Sequence, residues 1–313
     1  MSKIIETYGT AFSGVVIFVF FAVTAPNFIS PTNMMNVVKD ASFLAILALG
    51  FMLALRVGEL DLSIAEIASL AAVVAGWFIH HQFPPVVAIL AALGVAVALG
   101  AFNGFGVTRL RVPSLIVTFG VAAIAKGFSF MLTQGVAFVG RWPTGFTDIA
   151  RGSLFGLPHL LLWMAAATAS AWVLLNWTRT GAHMIATGEA DEAARLAGVQ
   201  TAHIKRLGLM MSGLYAGIAA VLLAANLSSA APNMAADYFL YAIASVLLGM
   251  TMFKPGHPNV LGTVYAAIVL KILGNGLVLM GAPYYLQDMV LGFIIIASVA
   301  FSASVLKKAA FKV

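Results

Sequence analysis

The stretch VVAILAALGVAVALGAFNGFGV, from Val86 to Val107, contains no charged residue over its whole length. An α-helix rises 1.5 Å per residue, so about 20 such residues cross the roughly 30 Å apolar core of a lipid bilayer. The stretch therefore predicts a membrane-spanning helix, and comparable apolar runs recur on both sides of it.

The composition of the whole chain agrees with lipid as its solvent. Hydrophobic residues make up 62% and charged residues 9% of the 313 residues, against roughly 45–50% and about 25% in soluble domains. So few charges can cover loops but not a complete surface, and lipid must therefore face much of the chain. We expect an all-α polytopic protein, a single transmembrane domain over 1–313 with about ten spans. The predicted spans lie at 8–25, 41–57, 61–81, 84–107, 113–133, 157–178, 207–230, 239–253, 259–281 and 284–304.

Several other classes of protein are disfavoured by the same residues. The net charge of +6 is dispersed among loops, so it does not indicate a nucleic-acid partner. The chain has no cysteine and six histidines, and no phosphate-binding loop or zinc motif is present. We therefore expect no catalytic residue, no cofactor and no metal site, and an enzyme within the membrane is disfavoured because no paired His and Asp constellation occurs.

The basic residues predict how the chain is oriented. With the N-terminus in the cytoplasm, twelve of the 17 Lys and Arg residues lie inside, three outside and two within spans. Inner loops of membrane proteins carry an excess of basic residues. This bias predicts a multi-pass protein whose N- and C-termini and 179–206 loop are cytoplasmic.

The 179–206 loop has a helical pattern of its own. The stretch from Glu189 to Leu196 indicates a short helix, because acids stand at its start and Arg195 follows Asp191 by four residues. Gly198 offers a helix stop. Such a helix can dock another protein, although a solvated loop helix would explain the same pattern.

An internal echo suggests two related halves. Each copy has an Asn-Gly pair followed by a proline and a glycine, and in the predicted topology the copies lie near opposite membrane faces. Inverted repeats of this kind are typical of transporters. The two copies are Asn103, Gly104, Pro113, Gly120 and Asn275, Gly276, Pro283, Gly292.

The segment RVGELDLS, from Arg56 to Ser63, places acids at the junction of two spans. It resembles the Gly-Gly-Ile-Asp-Leu-Ser segment of the ribose-type permeases, the membrane subunits of ATP-binding-cassette sugar importers. Four further stretches resemble this family in the same order along the chain. They are VTRLRVPSLIVTFG from Val107 to Gly120, Glu192-Ala193-Ala194 with Gly198, Leu261 to Thr263, and Asn275 to Leu277.

The resemblance implies a permease subunit of the inner (plasma) membrane that forms the translocation path for a small polar solute, with a monosaccharide expected. Its implied partners are an ATP-binding-cassette ATPase, a periplasmic or extracellular solute-binding protein, a second permease chain (identical or a paralogue) and membrane lipid. The ATPase would dock on Glu192, Ala193, Ala194 and Gly198. Glu59, Glu66 and Lys271 depart from the family pattern, so nucleosides and furanose signals stay open as solutes.

Polar residues in or beside the spans are candidates for the translocation path. A rival hypothesis, an ion-coupled secondary transporter, would use Glu66, Lys126 and Lys271 as relays. Lys271 lies about ten residues, or roughly 15 Å, from the outer end of its span, so it either pairs with Asp288 or snorkels outward. The full candidate set is Asp61, Ser63, Glu66, Asn103, Lys126, Lys271, Asn275 and Asp288.

Overall fold

The protein is mostly helical in the computed structural model, which describes the backbone of residues 2–310 and the side chains of residues 12–283 and 285–300. Thirteen helices lie within the described residues. They are α1 Ser2–Thr24, α2 Pro31–Arg56, α3 Ile64–His80, α4 Pro85–Thr108, α5 Ser114–Thr133, α6 Thr144–Arg151, α7 His159–Trp177, α8 Arg179–Glu189, α9 Asp191–Leu196, α10 Thr201–Leu227, α11 Tyr238–Gly249, α12 Val260–Leu279 and α13 Tyr284–Ala310.

Four two-residue strands complete the described secondary structure and belong to the connections between helices. The strand β1 (Phe138–Val139) pairs antiparallel with β4 (Ser229–Ala230). The strand β2 (Ser153–Leu154) pairs antiparallel with β3 (Leu157–Pro158). The prediction of a mostly helical protein is therefore confirmed.

Each of the ten predicted spans overlaps one helix. Six helices, α2, α4, α5, α7, α10 and α12, are long and apolar enough to cross a membrane by length and composition. Four shorter apolar helical stretches account for the other predicted spans. They are Phe12–Thr24, Ile64–His80, Tyr238–Gly249 and Tyr285–Ala300. The number of crossings and the inverted repeat stay predictions.

The chain forms two compact units, residues 1–48 with 240–313 and residues 49–239. In the second unit α10 packs along α4, and α3 packs against α4, α5 and α10. Helix α3 is therefore enclosed by these three neighbours, and most of its residues are buried. An apolar helix surrounded in this way is buried on all sides, which explains why α3 shows no polar face.

In the first unit α1 packs against α12. Phe21 and Phe28 form a small core with Ile272 and Leu277. A Cβ atom at Gly276 would lie 2.3 Å from the ring of Phe21, so this position requires glycine for the close approach. Here the second Asn-Gly pair serves helix packing.

Glycines also set the distance between α4 and α10. A Cβ atom at Gly213 would lie 2.3 Å from the carbonyl oxygen of Ala96, and one at Gly100 would lie 2.5 Å from that of Leu209. Real Cβ atoms do not come so close to backbone. Small residues at a helix interface let two backbones approach, and these two glycines bring α4 and α10 into direct backbone contact.

The connection between α7 and α10 corrects one prediction. The helix expected from Glu189 to Leu196 is wrong at its start, because Glu189 ends α8 and α9 begins at Asp191. Between them Ala190 has φ −156° and ψ 81°. A Cβ atom at Gly188 would lie 2.1 Å from the carbonyl oxygen of Arg56. Helix α8 therefore ends against the backbone of α2, a contact that local sequence does not encode.

Gly198 stands after the end of α9, as the sequence predicts. Its φ is +87°, a left-handed conformation that favours glycine. The amide of Gly198 donates to the carbonyl of Arg195, and the amide of Val199 donates to that of Ala194. Left-handed residues with such backbone hydrogen bonds commonly end helices.

The close approach of α4 and α10 can be tested with one added methyl group. We expect Gly213→Ala to lower the free energy of unfolding by about 1–3 kcal/mol, because overpacking forces the two helices apart. The measurement is the thermal unfolding midpoint of the purified protein in detergent.

The matched control for this substitution is Gly94→Ala on the partner helix of the contact, α4. A Cβ atom at Gly94 would meet nothing within 4 Å. Alanine is a better helix former than glycine by roughly 0.5–1 kcal/mol, so the control should be neutral or stabilising. Equal midpoints for the two variants would contradict the packing described here.

Candidate functional site

The turn between α2 and α3, residues 57–63, lies between two groups of polar side chains in the second unit and contributes residues to both. Helix α2 ends at Arg56, and the amide of Glu59 donates to the carbonyl of Ala54 at 3.1 Å. Gly58 has a φ of +82°, which reverses the chain at no steric cost. The turn thus directs the acids of the RVGELDLS segment to opposite sides.

On one side of the turn, Asp61 lies in a fully buried polar cluster with Ser63, Asn103 and Ser212. One carboxylate oxygen of Asp61 accepts from the amide and the hydroxyl of Ser63. The other accepts from the hydroxyl of Ser212 at 2.7 Å. The amide nitrogen of Asn103 lies 2.7 Å from the Ser63 hydroxyl and 3.4 Å from Asp61. The Asp61 cluster, as we call these four residues, connects α4 and α10 to the turn.

Hydroxyl groups of α5 hold the backbone of the turn. The amide of Leu60 donates to the Ser114 hydroxyl at 3.3 Å, and the amide of Leu62 donates to the Thr118 hydroxyl at 3.1 Å. The Thr118 hydroxyl also lies 3.2 Å from the carbonyl oxygen of Leu60. Backbone groups outside regular structure need such partners when water is excluded, so α5 fixes the conformation that aims Asp61 inward.

On the other side, ion pairs connect the turn to α8 and α9. The ammonium of Lys205 lies 2.9 Å from both Glu59 and Asp191. Arg56 lies 3.3 Å from Glu189. The side chain of Glu59 is only 9% exposed and that of Lys205 is 21% exposed, so water screens this pair weakly. These five residues form what we call the charged layer.

Asp191 remains ionised within the charged layer at neutral pH. Burial alone would raise the pKa of Asp191, but hydrogen bonds from Thr201 and Lys205, together with the charges of Lys205 and Arg195, outweigh burial and hold the pKa below its ordinary value. The stability that this carboxylate contributes is therefore present above its unfolded pKa of about 4 and is lost as the pH falls through the lower folded value.

The residues expected to dock an ATPase lie on and after α9. Glu192 has an 82% exposed side chain and lies 3.8 Å from Arg195. Ala193 and Gly198 are exposed, whereas Ala194 is buried. Sequence analysis did not select Leu196, a large apolar side chain that is 82% exposed. The exposed side chain of Leu196 shows that the surface of α9 around Glu192 is accessible.

Two further path candidates, Glu66 on α3 and Lys126 on α5, lie near each other. The charge of Lys126 acts on Glu66, but the two side chains do not form one of the ion pairs within 4.0 Å among the described residues. The Oε2 atom of Glu66 is buried and has no hydrogen-bond donor among the described residues.

In the first unit, Asn275 exchanges two hydrogen bonds with Asn33, at 2.9 and 2.8 Å. The ammonium of Lys271 lies 5.0 Å from the ring centre of Tyr241, a cation–π distance, and its charge acts on Asp40.

A pair of Lys271 with Asp288 is one of the two alternatives that the sequence leaves open, and it stays a prediction. Asp288 is exposed near the start of α13. Counting residues along a span estimates the depth of a side chain but not the direction in which its helix turns it. The rotation of α12 presents Lys271 to Tyr241.

Sequence analysis found three members of the Asp61 cluster singly and missed the fourth, Ser212. The structure brings Asp61, Ser63 and Asn103 together, although no motif predicted that they meet. Ser212 stands in the long apolar helix α10, where a lone serine can also bond its own backbone. Lys205 and Arg56 were interpreted as topology signals only, and their pairing with acids depends on tertiary contacts.

Residues 33–299 match the family described as "Branched-chain amino acid transport system / permease component". The chain belongs to this family. The ribose import permease protein RbsC of Escherichia coli strain K12 is 33% identical over 282 residues, covering 88% of this chain and 87% of the relative. RbsC of Bacillus subtilis strain 168 is 27% identical over 285 residues, covering 91% and 88%. The L-arabinose transport system permease protein AraH of Escherichia coli strain K12 is 30% identical over 299 residues, covering 96% and 91%.

The permease match begins in α2 and ends in α13. The turn, the Asp61 cluster and the charged layer all lie inside it. Membership agrees with the resemblance that the RVGELDLS segment suggested, and it makes the chain a transport permease component.

The charged layer can be tested by a double-mutant cycle at Lys205 and Glu59. Lys205→Met leaves a buried carboxylate without its cation, and breaking a buried pair this way costs roughly 3 kcal/mol or more. We expect Lys205→Met to lower the thermal midpoint of the permease more than Lys205→Met with Glu59→Gln, which removes both charges.

Arg195→Met provides the control, because its pair with Glu192 is 70% and 82% exposed and exposed pairs contribute little. The midpoint of this control should not change measurably. If Lys205→Met shifts the midpoint no more than Arg195→Met does, or if the midpoint shifts of the Lys205 and Glu59 substitutions are additive, Lys205 does not stabilise the Glu59 carboxylate.

Proposed function

We propose that this chain is the membrane-spanning permease subunit of an ATP-driven importer of a small polar solute, a monosaccharide. The observation that carries the proposal is the match, over about nine tenths of the chain, to permeases whose names specify ribose and L-arabinose. A nucleoside or a furanose signal would use the same architecture with a different solute contact.

The proposed assembly follows from the permease role. ATP is bound by a separate ATP-binding-cassette ATPase, a solute-binding protein delivers the solute from outside, and a second permease chain, identical or a paralogue, completes the path. The chain crosses the inner membrane ten times as one transmembrane domain with an inverted repeat. Its termini and the 179–206 loop face the cytoplasm, which the twelve basic residues assigned to the inner side support.

Coupling to the ATPase is proposed to run through α9. The exposed surface around Glu192 offers the contact, and Asp191 in the same helix is held by Lys205, which also holds Glu59. Glu59 stands two residues before Asp61, so a displacement of α9 reaches the Asp61 cluster through a continuous set of polar contacts. Packed elements with two discrete arrangements can carry such a signal between inward-facing and outward-facing states.

The importer role is tested by reconstituting the permease in liposomes with its ATPase and binding protein. We expect uptake of labelled D-ribose or L-arabinose only when both the ATPase and ATP are present. Uptake by the permease alone, driven by an ion gradient, would instead support the rival secondary transporter.

The docking surface is tested by Glu192→Arg. Reversal of this charge should reduce both co-purification of the ATPase and ATP-driven uptake by about tenfold, while the permease still inserts and folds, because Glu192 is exposed and makes only a weak pair with Arg195. The control is Asp148→Arg, a charge reversal at an exposed position of α6. Normal ATPase binding together with full uptake in Glu192→Arg would show that α9 is merely a solvated helix.

A further inference from the structure

The connection between α10 and α11 runs alongside α3. The Cβ atom of Ala230 lies 2.4 Å from where a Cβ atom on Gly76 would stand. The amide of Ala235 donates to the hydroxyl of Ser69 at 3.1 Å. Gly76 and Ser69 are about 10 Å apart along the helix axis, so the connection follows α3 in the opposite direction over that distance. We call residues 230–237 the α3-side segment.

The backbone of the α3-side segment is irregular. Turn bonds join the amide of Met234 to the carbonyl of Ala231 and that of Ala236 to Asn233. Asn233 itself has a φ of 62°. Within a membrane, non-helical backbone is tolerated only where protein covers it or where it lines a water-filled cavity. Residues 231–234 are half-buried rather than covered, which favours a wet surface on the side away from α3.

Two acceptor oxygens of this region have no donor among the described residues. They are Oε2 of Glu66 and Oδ1 of Asn233. Glu66 lies one turn before Ser69 on the same face of α3, and Asn233 stands two residues before Ala235, the residue bonded to Ser69. Both acceptors therefore belong to one strip centred on Ser69. A buried acceptor without a donor is unfavourable. A hydrogen-bond donor from a bound molecule would therefore stabilise this strip.

Partial exposure of the residues, rather than of the oxygen atoms, separates Glu66 and Asn233 from the other described residues with unpaired oxygens. Asn103 Oδ1 and Thr187 Oγ1 also have no donor among the described residues, but Asn103 and Thr187 are buried as whole residues. No solute could reach them without disrupting the helices. Glu66 and Asn233 are half-buried residues whose acceptor oxygens are covered, so rotation of either side chain about its own bonds is enough to turn its oxygen toward the uncovered side.

The charge balance of the strip favours a neutral solute. The ammonium of Lys126 compensates the carboxylate of Glu66 without pairing with it within 4.0 Å among the described side chains. The strip thus offers acceptors on Glu66 and Asn233, with the positive charge of Lys126 acting on one of them. A hydroxyl group both donates and accepts a hydrogen bond, so a polyhydroxylated molecule matches this set better than a carboxylate or an ammonium ion.

We propose that Glu66 and Asn233 form a contact site for the hydroxyl groups of a neutral sugar in the translocation path. The site deepens the proposed function and rests on it for the class of solute. The α3-side segment supplies one acceptor and helix α3 the other, and Ser69 holds the two elements together.

The natural absence of cysteine allows a labelling test of the site. Met234→Cys places a unique thiol on the α3-side segment and keeps both acceptors. In liposomes holding the intact permease, a charged, water-soluble methanethiosulfonate should modify this thiol. Leu90→Cys on α4, at a 63% exposed position within an uncharged span, should face lipid and stay unmodified, as should fully buried Ala230→Cys.

The solute contact is read out as protection of the Met234→Cys thiol. D-Ribose, L-arabinose or D-glucose at high concentration should slow labelling at least fivefold, whereas glycine betaine, which has no hydroxyl, should not. Adding Glu66→Gln or Asn233→Ala should raise the sugar concentration for half-protection by about tenfold, the order expected for one lost hydrogen bond to a ligand. Asp148→Asn, the same change of group at an exposed position of α6, should leave it unchanged.

Three results would overturn the site. Absence of labelling would mean that protein or lipid covers the α3-side segment. Labelling without protection would mean that the segment contacts water but binds no sugar. Protection that does not change with Glu66→Gln or Asn233→Ala would place the sugar contact elsewhere. The assay uses no ATP. Protection by sugar without ATP-driven uptake would therefore reject the importer role but support the sugar-contact site. ATP-driven uptake without protection would support the importer role but reject the site.

Discussion

The arrangement of the second unit depends on one buried carboxylate. Asp61 is fully buried, and it forms no ion pair within 4.0 Å among the described residues. Burying an acid is costly unless hydrogen bonds replace water, and here Ser63 and Ser212 supply donors. The Ser212 hydroxyl reaches Asp61 only while α10 stays close to the turn, and the glycine contacts between α4 and α10 maintain the position of α10 against α4.

The same constraint gives the α2–α3 turn its two-sided character. Asp61 fixes one side to the helix core, and Glu59 fixes the other to Lys205 and through it to α9. The turn is thus the physical link between α9 and the Asp61 cluster that the proposed coupling would use. Rigid, fully bonded segments transmit displacement, whereas loosely held ones absorb it.

The sequence was sufficient for properties that composition and periodicity determine. Apolar runs located the long helices, and Gly198 marked the end of α9. It was not sufficient where tertiary contact decides, as at Ala190, where α8 ends because Gly188 meets the backbone of Arg56. Asp61 was selected in the RVGELDLS segment and Asn103 in the internal echo, but their junction with Ser212 depends on how α4 and α10 rotate. For the same reason, residue counting along α12 left open whether Lys271 pairs with Asp288 or snorkels outward.

Two polar regions of the same unit therefore differ in a way that bears on their roles. Both carboxylate oxygens of Asp61 accept hydrogen bonds in a place no solute reaches, which is the design of a structural junction. Glu66, in contrast, has an acceptor without a donor on a residue that is only half-buried. Unsatisfied polar groups are unfavourable in a resting protein, and a binding site tolerates them because the ligand supplies the missing partner. Polarity alone thus does not distinguish a structural junction such as Asp61 from a solute contact such as Glu66. The exposure of the residue and the number of its hydrogen bonds, taken together, do.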